Sequence, residues 1–251
     1  EVVIAAVKQN GYALDDADDK LKADKEVVLE AVKQTGIAFQ YADDSLKKDK
    51  EIVLIAVKDR GIAFEYADKK LRADKEVVLE AVKHDPYGVA LEHADKKLRA
   101  DKEVVLAALK QHSSTFEYAD KKLKADKDIV LIAVKKSGDA LQYASTSLKK
   151  DKEVVKVAIK QSGTALQYAD SSLKKDKDIF KTSEEIYKNF IKSENLKGKK
   201  LTKISVGLWK ISEREHATGT YTFKDGTSKE GGAYLNNALS GAIDFPNQDG
   251  G

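Results

Sequence analysis

The chain has 251 residues, 41% hydrophobic and 35% charged, which suits one large domain or two ordinary ones and is not apolar-poor enough for disorder. The 45 Lys and Arg nearly balance 42 Asp and Glu, and the formal net charge of +3 is spread with alternating sign, so no electrostatic case for a nucleic-acid partner arises. No Cys means no disulfide, thiolate chemistry or Cys-ligated zinc; no apolar run spans a bilayer and no signal-peptide order is visible, and without Met the start reads as lying inside a longer product.

In chain order, the first feature is repetition. Asp-Lys recurs at Asp24, Asp49, Asp74, Asp101, Asp126, Asp151 and Asp176, at spacings of 25, 25, 27, 25, 25 and 25 residues, and residues 1–23 form one more copy that lacks its first two residues. A fixed period in this range predicts a stacked array. Within Asp24–Lys48, Asp24 is an N-cap candidate and Val27, Val28, Ala31 and Val32 recur at helical spacing, with Gly36 placed to stop the helix in a left-handed turn. Ala38, Phe39 and Ala42 supply a second apolar stripe, and Leu46 follows in a segment short enough to end in a 3₁₀ turn. The expected fold is therefore an all-α repeat solenoid of stacked two-helix units of about 25 residues. Two repeats depart from the pattern. KHDPYG at Lys83–Gly88 has two extra residues and a proline, which predicts a longer loop; Ser113 stands where glycine is usual, which predicts an altered turn.

The recurring pattern D-[KR]-E-[VI]-V-L-x-A-V-K-x-x-G-x-A-L-x-Y-A-x-x-x-L-[KR] resembles the bacterial and protist repeat known as domain of unknown function 4116, over Glu1 to about Asp178. The resemblance implies a helical interaction array and brings no reaction, cofactor or functional residue.

Beyond Asp176 the period fails. Ser183, with Ile186, Phe190 and Ile191 behind it, reads as a capping helix over 179–197, and KGKK as a linker. From Leu201 the alternation of Ile204, Val206 and Leu208 has a strand period, and Thr220–Phe223 runs into Asp225-Gly226, a hairpin-turn dipeptide. Gly219–Gly241 resembles the membrane occupation and recognition nexus (MORN) repeat, with GLW at Gly207–Trp209 and GAY at Gly232–Tyr234 as flanking copies. That resemblance implies protein, self or lipid contact through Trp209, Tyr221, Phe223 and Tyr234 of a small β-hairpin module. The expected domains are an array over 1–178, a cap over 179–197 and a β module over 198–251.

Residues with chemical potential are few. His84, His93 and His112 fall in adjacent repeats, but stacked equivalents lie about 8–10 Å apart, too far to share a metal. His93 replaces a tyrosine of the column Tyr41, Tyr66, Tyr118, Tyr143 and Tyr168, which reads as inter-repeat packing before ligand stacking. His112 and Ser114 pair a base with a nucleophile without an orienting acid, the basis of a hydrolase alternative. Asp15, Asp16, Asp18 and Asp19 lack an EF-hand pattern, and the DKK and LKK runs read as solvated edges.

One helix position varies between fixed flanks: Ala5, Glu30, Ile55, Glu80, Ala107, Ile132 and Val157. Because it admits glutamate it faces outward, so Ile55, Ile132 and Val157, with Tyr66, Tyr118 and Tyr143, form the candidate partner face. Val2, Val3 and Val7 are the candidate self-association end. The function expected is a non-enzymatic protein-interaction scaffold without cofactor, metal or catalytic residue, the alternative being a subunit that self-associates end to end; membrane contact is expected only through the carboxy-terminal module.

Overall fold

The aspartate that opens each repeat folds back onto its own chain. In the computed structural model, which describes residues 1–174, 176–179 and 182 and the backbone of 201–211, 214–223 and 228–230, Asp24 Oδ1 accepts from the backbone N–H of Glu26 at 2.9 Å and of Val27 at 3.3 Å. Asp49, Asp74, Asp101, Asp126 and Asp151 repeat the cap. Satisfying two orphan donors fixes where each helix begins, and the acidic residue in the first turn complements the dipole. The long helices are Val2–Gln9, Lys25–Gln34, Lys50–Asp59, Lys75–Lys83, Lys102–Gln111, Lys127–Lys136 and Lys152–Gln161. Their buried stripes correspond residue for residue, Val27, Val28, Ala31 and Val32 in one and Ile52, Val53, Ala56 and Val57 in the next.

The second element is not the α-helix expected. Gly36–Tyr41 is a 3₁₀-helix, as are Gly11–Leu14, Gly61–Tyr66, Ser113–Tyr118, Gly138–Tyr143 and Gly163–Tyr168. It is bounded by extended residues, Thr35 (φ −153°, ψ 124°) and Ala42 (φ −64°, ψ 148°), and six residues between such corners are too few for an α-helix to propagate. A third short turn, such as Leu46–Lys48, completes the repeat. Phe39, Phe64 and Phe116 of the 3₁₀ segments are fully buried, each worth roughly 1.5–3 kcal/mol relative to exposure.

Gly36 does not stop the helix in a left-handed turn; extended Thr35 does. The glycine is needed for close approach, because a Cβ there would meet the backbone carbonyl oxygen of Ala56 in the following repeat. Gly11 stands in the same relation to the Ala31 carbonyl, Gly61 to that of Ala81 and Gly138 to that of Ala158. The altered turn expected at Ser113 is absent: His112 is extended like its equivalents and Ser113 opens an ordinary 3₁₀ segment.

The insertion does form a longer loop, with Pro86 and Tyr87 exposed and Gly88 at φ 78°, the left-handed conformation glycine tolerates. Asp85, only 3% exposed, anchors it by accepting from the Tyr87 N–H at 3.0 Å and the Ala90 N–H at 2.6 Å. Here the second element becomes α-helical, Ala90–His93.

The chain divides into two compact units, Glu1–Leu123 and Lys124–Gly251. Of the expected capping helix, only Ile179 and Thr182 are described, and both are buried. Further on, backbone strands β1 (Leu201–Ile211), β2 (Arg214–Phe223) and β3 (Ser228–Glu230) pair antiparallel in that order. Ile204 lies opposite Tyr221 and Trp209 opposite His216. The Asp225-Gly226 turn and Tyr234 lie outside the described residues. No helix among the described residues is long and apolar enough to cross a membrane.

Candidate interaction surface

What the repeat does with its polar groups decides which surface is left. Within each compact unit, lysines that follow capping aspartates reach the next repeat. Lys25 Nζ lies 2.8 Å from Asp49 Oδ2 and 2.9 Å from Glu51. Lys50 makes the same pair with Asp74 and Glu76, and Lys75 with Asp101 and Glu103. In the second compact unit Lys127 bridges Asp151 and Glu153, and Lys152 lies 2.7 Å from Asp176. Asp49, Asp74, Asp101, Asp151 and Asp176 thus spend Oδ1 on their own helix and Oδ2 on the preceding repeat. Charge-assisted bonds from Lys25 and Lys75 hold the Asp49 and Asp101 carboxyls below their ordinary range. At Asp74 and Asp151 partial burial alone would raise the pKa, but the lysine and backbone N–H bonds outweigh it. Lys127 is correspondingly pushed up to about 12 by Asp151 and Glu153.

A main-chain ladder runs beside this one. The N–H of Asp43 donates to Lys22 O at 2.9 Å, Asp68 to Lys47 O at 3.0 Å, Asp95 to Arg72 O and Asp120 to Arg99 O, both at 2.9 Å. In the second compact unit Ser145 donates to Lys124 O at 2.8 Å and Asp170 to Lys149 O at 3.0 Å. Sequence reasoning took Asp-Lys as a marker of period and missed both ladders; the available signal was that the lysine never varies while neighbouring charges do.

The tyrosine column is half-buried throughout, and Ala42, Ala67, Ala119 and Ala144 beside it are buried. Its hydroxyls lie among carboxylates. Glu65 holds the Tyr66 hydroxyl up to about 12, with Gln40 Oε1 of the preceding repeat 3.4 Å away. Burial raises the Tyr118 pKa, assisted by Glu92, Glu117 and Asp85. His93 takes the tyrosine place, its Nε2 3.7 Å from Glu65. Tyr143 differs, with Lys124 Nζ 5.9 Å from its ring centroid.

At the variable helix position Ile132 is 44% exposed, whereas Ile55 and Val157 are half-buried by neighbours. Of the proposed self-association residues, Val2 is 84% exposed, Val3 half-buried and Val7 wholly enclosed, which removes Val7 from any end surface. Trp209, Tyr221 and Phe223 are placed only as strand positions.

His112 and Ser114 do meet, Nδ1 to Oγ at 2.6 Å, but the same Nδ1 also takes the Ser114 backbone N–H at 3.3 Å. That is a cap on the 3₁₀ segment, on an exposed imidazole with no carboxylate described on its other nitrogen. His84 faces its own helix, 3.7 Å from Glu80. Among the described residues no three His, Asp or Glu side chains gather as a metal site.

Repeats of one α-helix and one 3₁₀-helix, joined by recurring lysine-to-carboxylate and main-chain bonds, define a helical repeat protein. The chain belongs to the family described as domain of unknown function (DUF4116), whose model matches residues 1–46, 24–72, 74–124, 126–174 and 151–193. No curated protein and no solved structure matches the chain.

Proposed function

We propose that the chain is a non-enzymatic protein-interaction scaffold, with Ile55, Tyr66 and Tyr118 as contacts in the first compact unit and Ile132, Val157 and Tyr143 in the second. The observation that carries this reading is Ile132, a large aliphatic side chain 44% exposed on a helix whose Ile129, Val130, Ala133 and Val134 are buried. A residue that neither packs nor caps is free to vary for a partner. A photo-crosslinking residue at position 132 should trap a discrete partner in extract from the source cells, and one at Glu30 should not; equal yields at both positions refute the face.

The alternative of end-to-end self-association draws on Val2 and half-buried Val3, since Val7 is enclosed. Sedimentation that does not change with concentration would reject it. The division into 1–178, 179–197 and 198–251, with a MORN-like β-hairpin module at the end, belongs to the same proposal, and the antiparallel strands β1 to β3 are compatible with a β segment there. Lipid contact belongs to that module in the same proposal, and liposome flotation with Trp209→Ala tests it.

A further inference from the structure

The lysines of the repeats differ in what they meet. Lys25, Lys50, Lys75, Lys127 and Lys152, after capping aspartates, hold carboxylates of the following repeat, as described above. Among the others are three pairs that stand directly before a leucine: Lys69-Lys70, Lys96-Lys97 and Lys121-Lys122. The corresponding places elsewhere hold Asp19-Lys20, Asp44-Ser45, Thr146-Ser147 and Ser171-Ser172. The repeats on either side carry their pair after the leucine instead, Lys47-Lys48 and Lys149-Lys150, where Lys47 lies 3.1 Å from Asp44 and Lys150 3.8 Å from Asp170.

The structure makes these pairs neighbours. Asp95 N–H to Arg72 O and Asp120 N–H to Arg99 O bind the three turns side by side, all within the first compact unit. Every one of the lysines is exposed, and among the described residues none makes an ion pair. Each turn sets two lysines against one capping carboxylate, Asp68, Asp95 or Asp120. Asp120 feels them: the Lys122 backbone N–H first, then the charges of Lys122 and Lys96, hold it below its ordinary pKa.

We propose that the edge formed by Lys69, Lys70, Lys96, Lys97, Lys121 and Lys122 docks an extended acidic polypeptide segment. The inference rests on the scaffold reading and adds a second face with a partner of stated chemistry. Neighbouring repeats lie about 8–10 Å apart. In a polyproline II chain residues i and i+3 share a face about 9 Å apart, so one carboxylate at every third residue meets one lysine pair per repeat. A nucleic acid fits less well. Duplex phosphates present a charge about every 1.7 Å, far denser than one pair per repeat. The nearby rings that could stack bases, Tyr66 and Tyr118, have their hydroxyls bonded to Glu65 and Glu92, whose charges repel phosphate.

The test is fluorescence anisotropy of the full chain with a labelled peptide of Glu-Pro-Pro repeats, beside a labelled single-stranded oligonucleotide. Serine replaces all six lysines in the variant, a residue the chain itself carries at Ser45, Ser147 and Ser171-Ser172, and the joining bonds are main-chain, so folding should be retained and is checked by circular dichroism. The peptide should bind the parent chain, and affinity should fall about tenfold or more, about 1.4 kcal/mol, in the variant. Binding should also weaken as salt rises from about 50 to about 300 mM. Unchanged affinity in the variant, no peptide binding at all, or tighter binding of the oligonucleotide than of the peptide overturns the proposal. A chain that is cross-linked through position 132 yet ignores the peptide rejects the lysine edge alone, while peptide binding without that cross-link rejects the Ile132 face and supports the edge.

Discussion

Gly36→Ala sets two effects of opposite sign against each other. The backbone there is not left-handed, and Ser113 occupies the same place in its own 3₁₀ segment, so the conformation itself accepts a Cβ. On that ground alone the change should stabilise by about 0.4–1 kcal/mol, by restricting the unfolded chain. Against it, the new methyl would meet the Ala56 carbonyl oxygen, with Asp59 Cβ at 3.0 Å and Ala56 C at 3.2 Å. The carbonyl belongs to the middle of Lys50–Asp59 and already accepts from Arg60 N–H at 2.9 Å, so it cannot swing away. The Gly36 N–H also donates to Asp59 Oδ2 at 2.7 Å, a bond that any retreat of the turn would stretch. Overpacking of this kind costs about 1–3 kcal/mol and wins, leaving a net loss of about 1 kcal/mol from mid-range values and at most about 2.6 kcal/mol. Urea denaturation measures it, paired with amide exchange along Lys50–Asp59 because a repeat array need not unfold as one unit. An equal or higher midpoint for Gly36→Ala would refute close approach as the reason for the glycine.

Asp85→Ala should cost roughly 2 kcal/mol or more, because the Tyr87 and Ala90 N–H groups lose their buried acceptor; thermal melting that leaves the midpoint unchanged would show water replacing it. Asp74→Ala should lose about 1 kcal/mol as a broken cap, whereas Asp74→Asn should keep the cap and lose only the salt-dependent bond to Lys50, a difference read by denaturation at low and high salt. The ladder predicts loss of stability at both ends of the pH scale. Asp49 and Asp101, held below 3.8, contribute fully above that value and lose it as pH falls through the lowered pKa; Lys127 contributes fully below 10.5 and loses it as pH rises through about 12. Denaturation midpoints across pH check this, and an Asp49→Asn chain with an unaltered acid limb would contradict it. Ile132→Ser should change stability by no more than about 0.5 kcal/mol, while Ile129→Ala, three residues away and fully buried, should cost about 2–5 kcal/mol by the same assay.

The repeat and its core were legible because they are written in spacing: Asp24 as cap, Val27, Val28, Ala31 and Val32 as stripe, and the insertion at Pro86 as a loop all follow from local rules. Two features were not, for different reasons. Gly36 invites the helix-stop reading because the local rule for glycine is conformational, while its actual constraint comes from a carbonyl twenty residues away. The second element gave too short a stripe to separate α from 3₁₀, a choice made by the extended corners at Thr35 and Ala42. The exposed surface was half legible. Ile132 followed from the variable position, but Ile55 and Val157 at the same register are partly covered, since exposure depends on the neighbouring repeat rather than on the residue's own helix.

Near-equality of 45 basic and 42 acidic residues argued against an electrostatic partner, and that argument assumes the charges are mixed in space as they are in sequence. Folding sorts them. Lys25, Lys50 and Lys75 are each held by carboxylates of the next repeat, so their charge is offset locally. The remaining cations do not all cancel in the same way: in the repeats on either side Lys47 reaches Asp44 and Lys150 reaches Asp170, whereas Lys69-Lys70, Lys96-Lys97 and Lys121-Lys122 make no ion pair among the described residues. Net charge is then the wrong quantity for this chain. In an array that returns the same register every 25 residues, the informative charge is the one that changes between copies while the bonds around it stay fixed, and by that measure the first compact unit has a basic edge that composition hides.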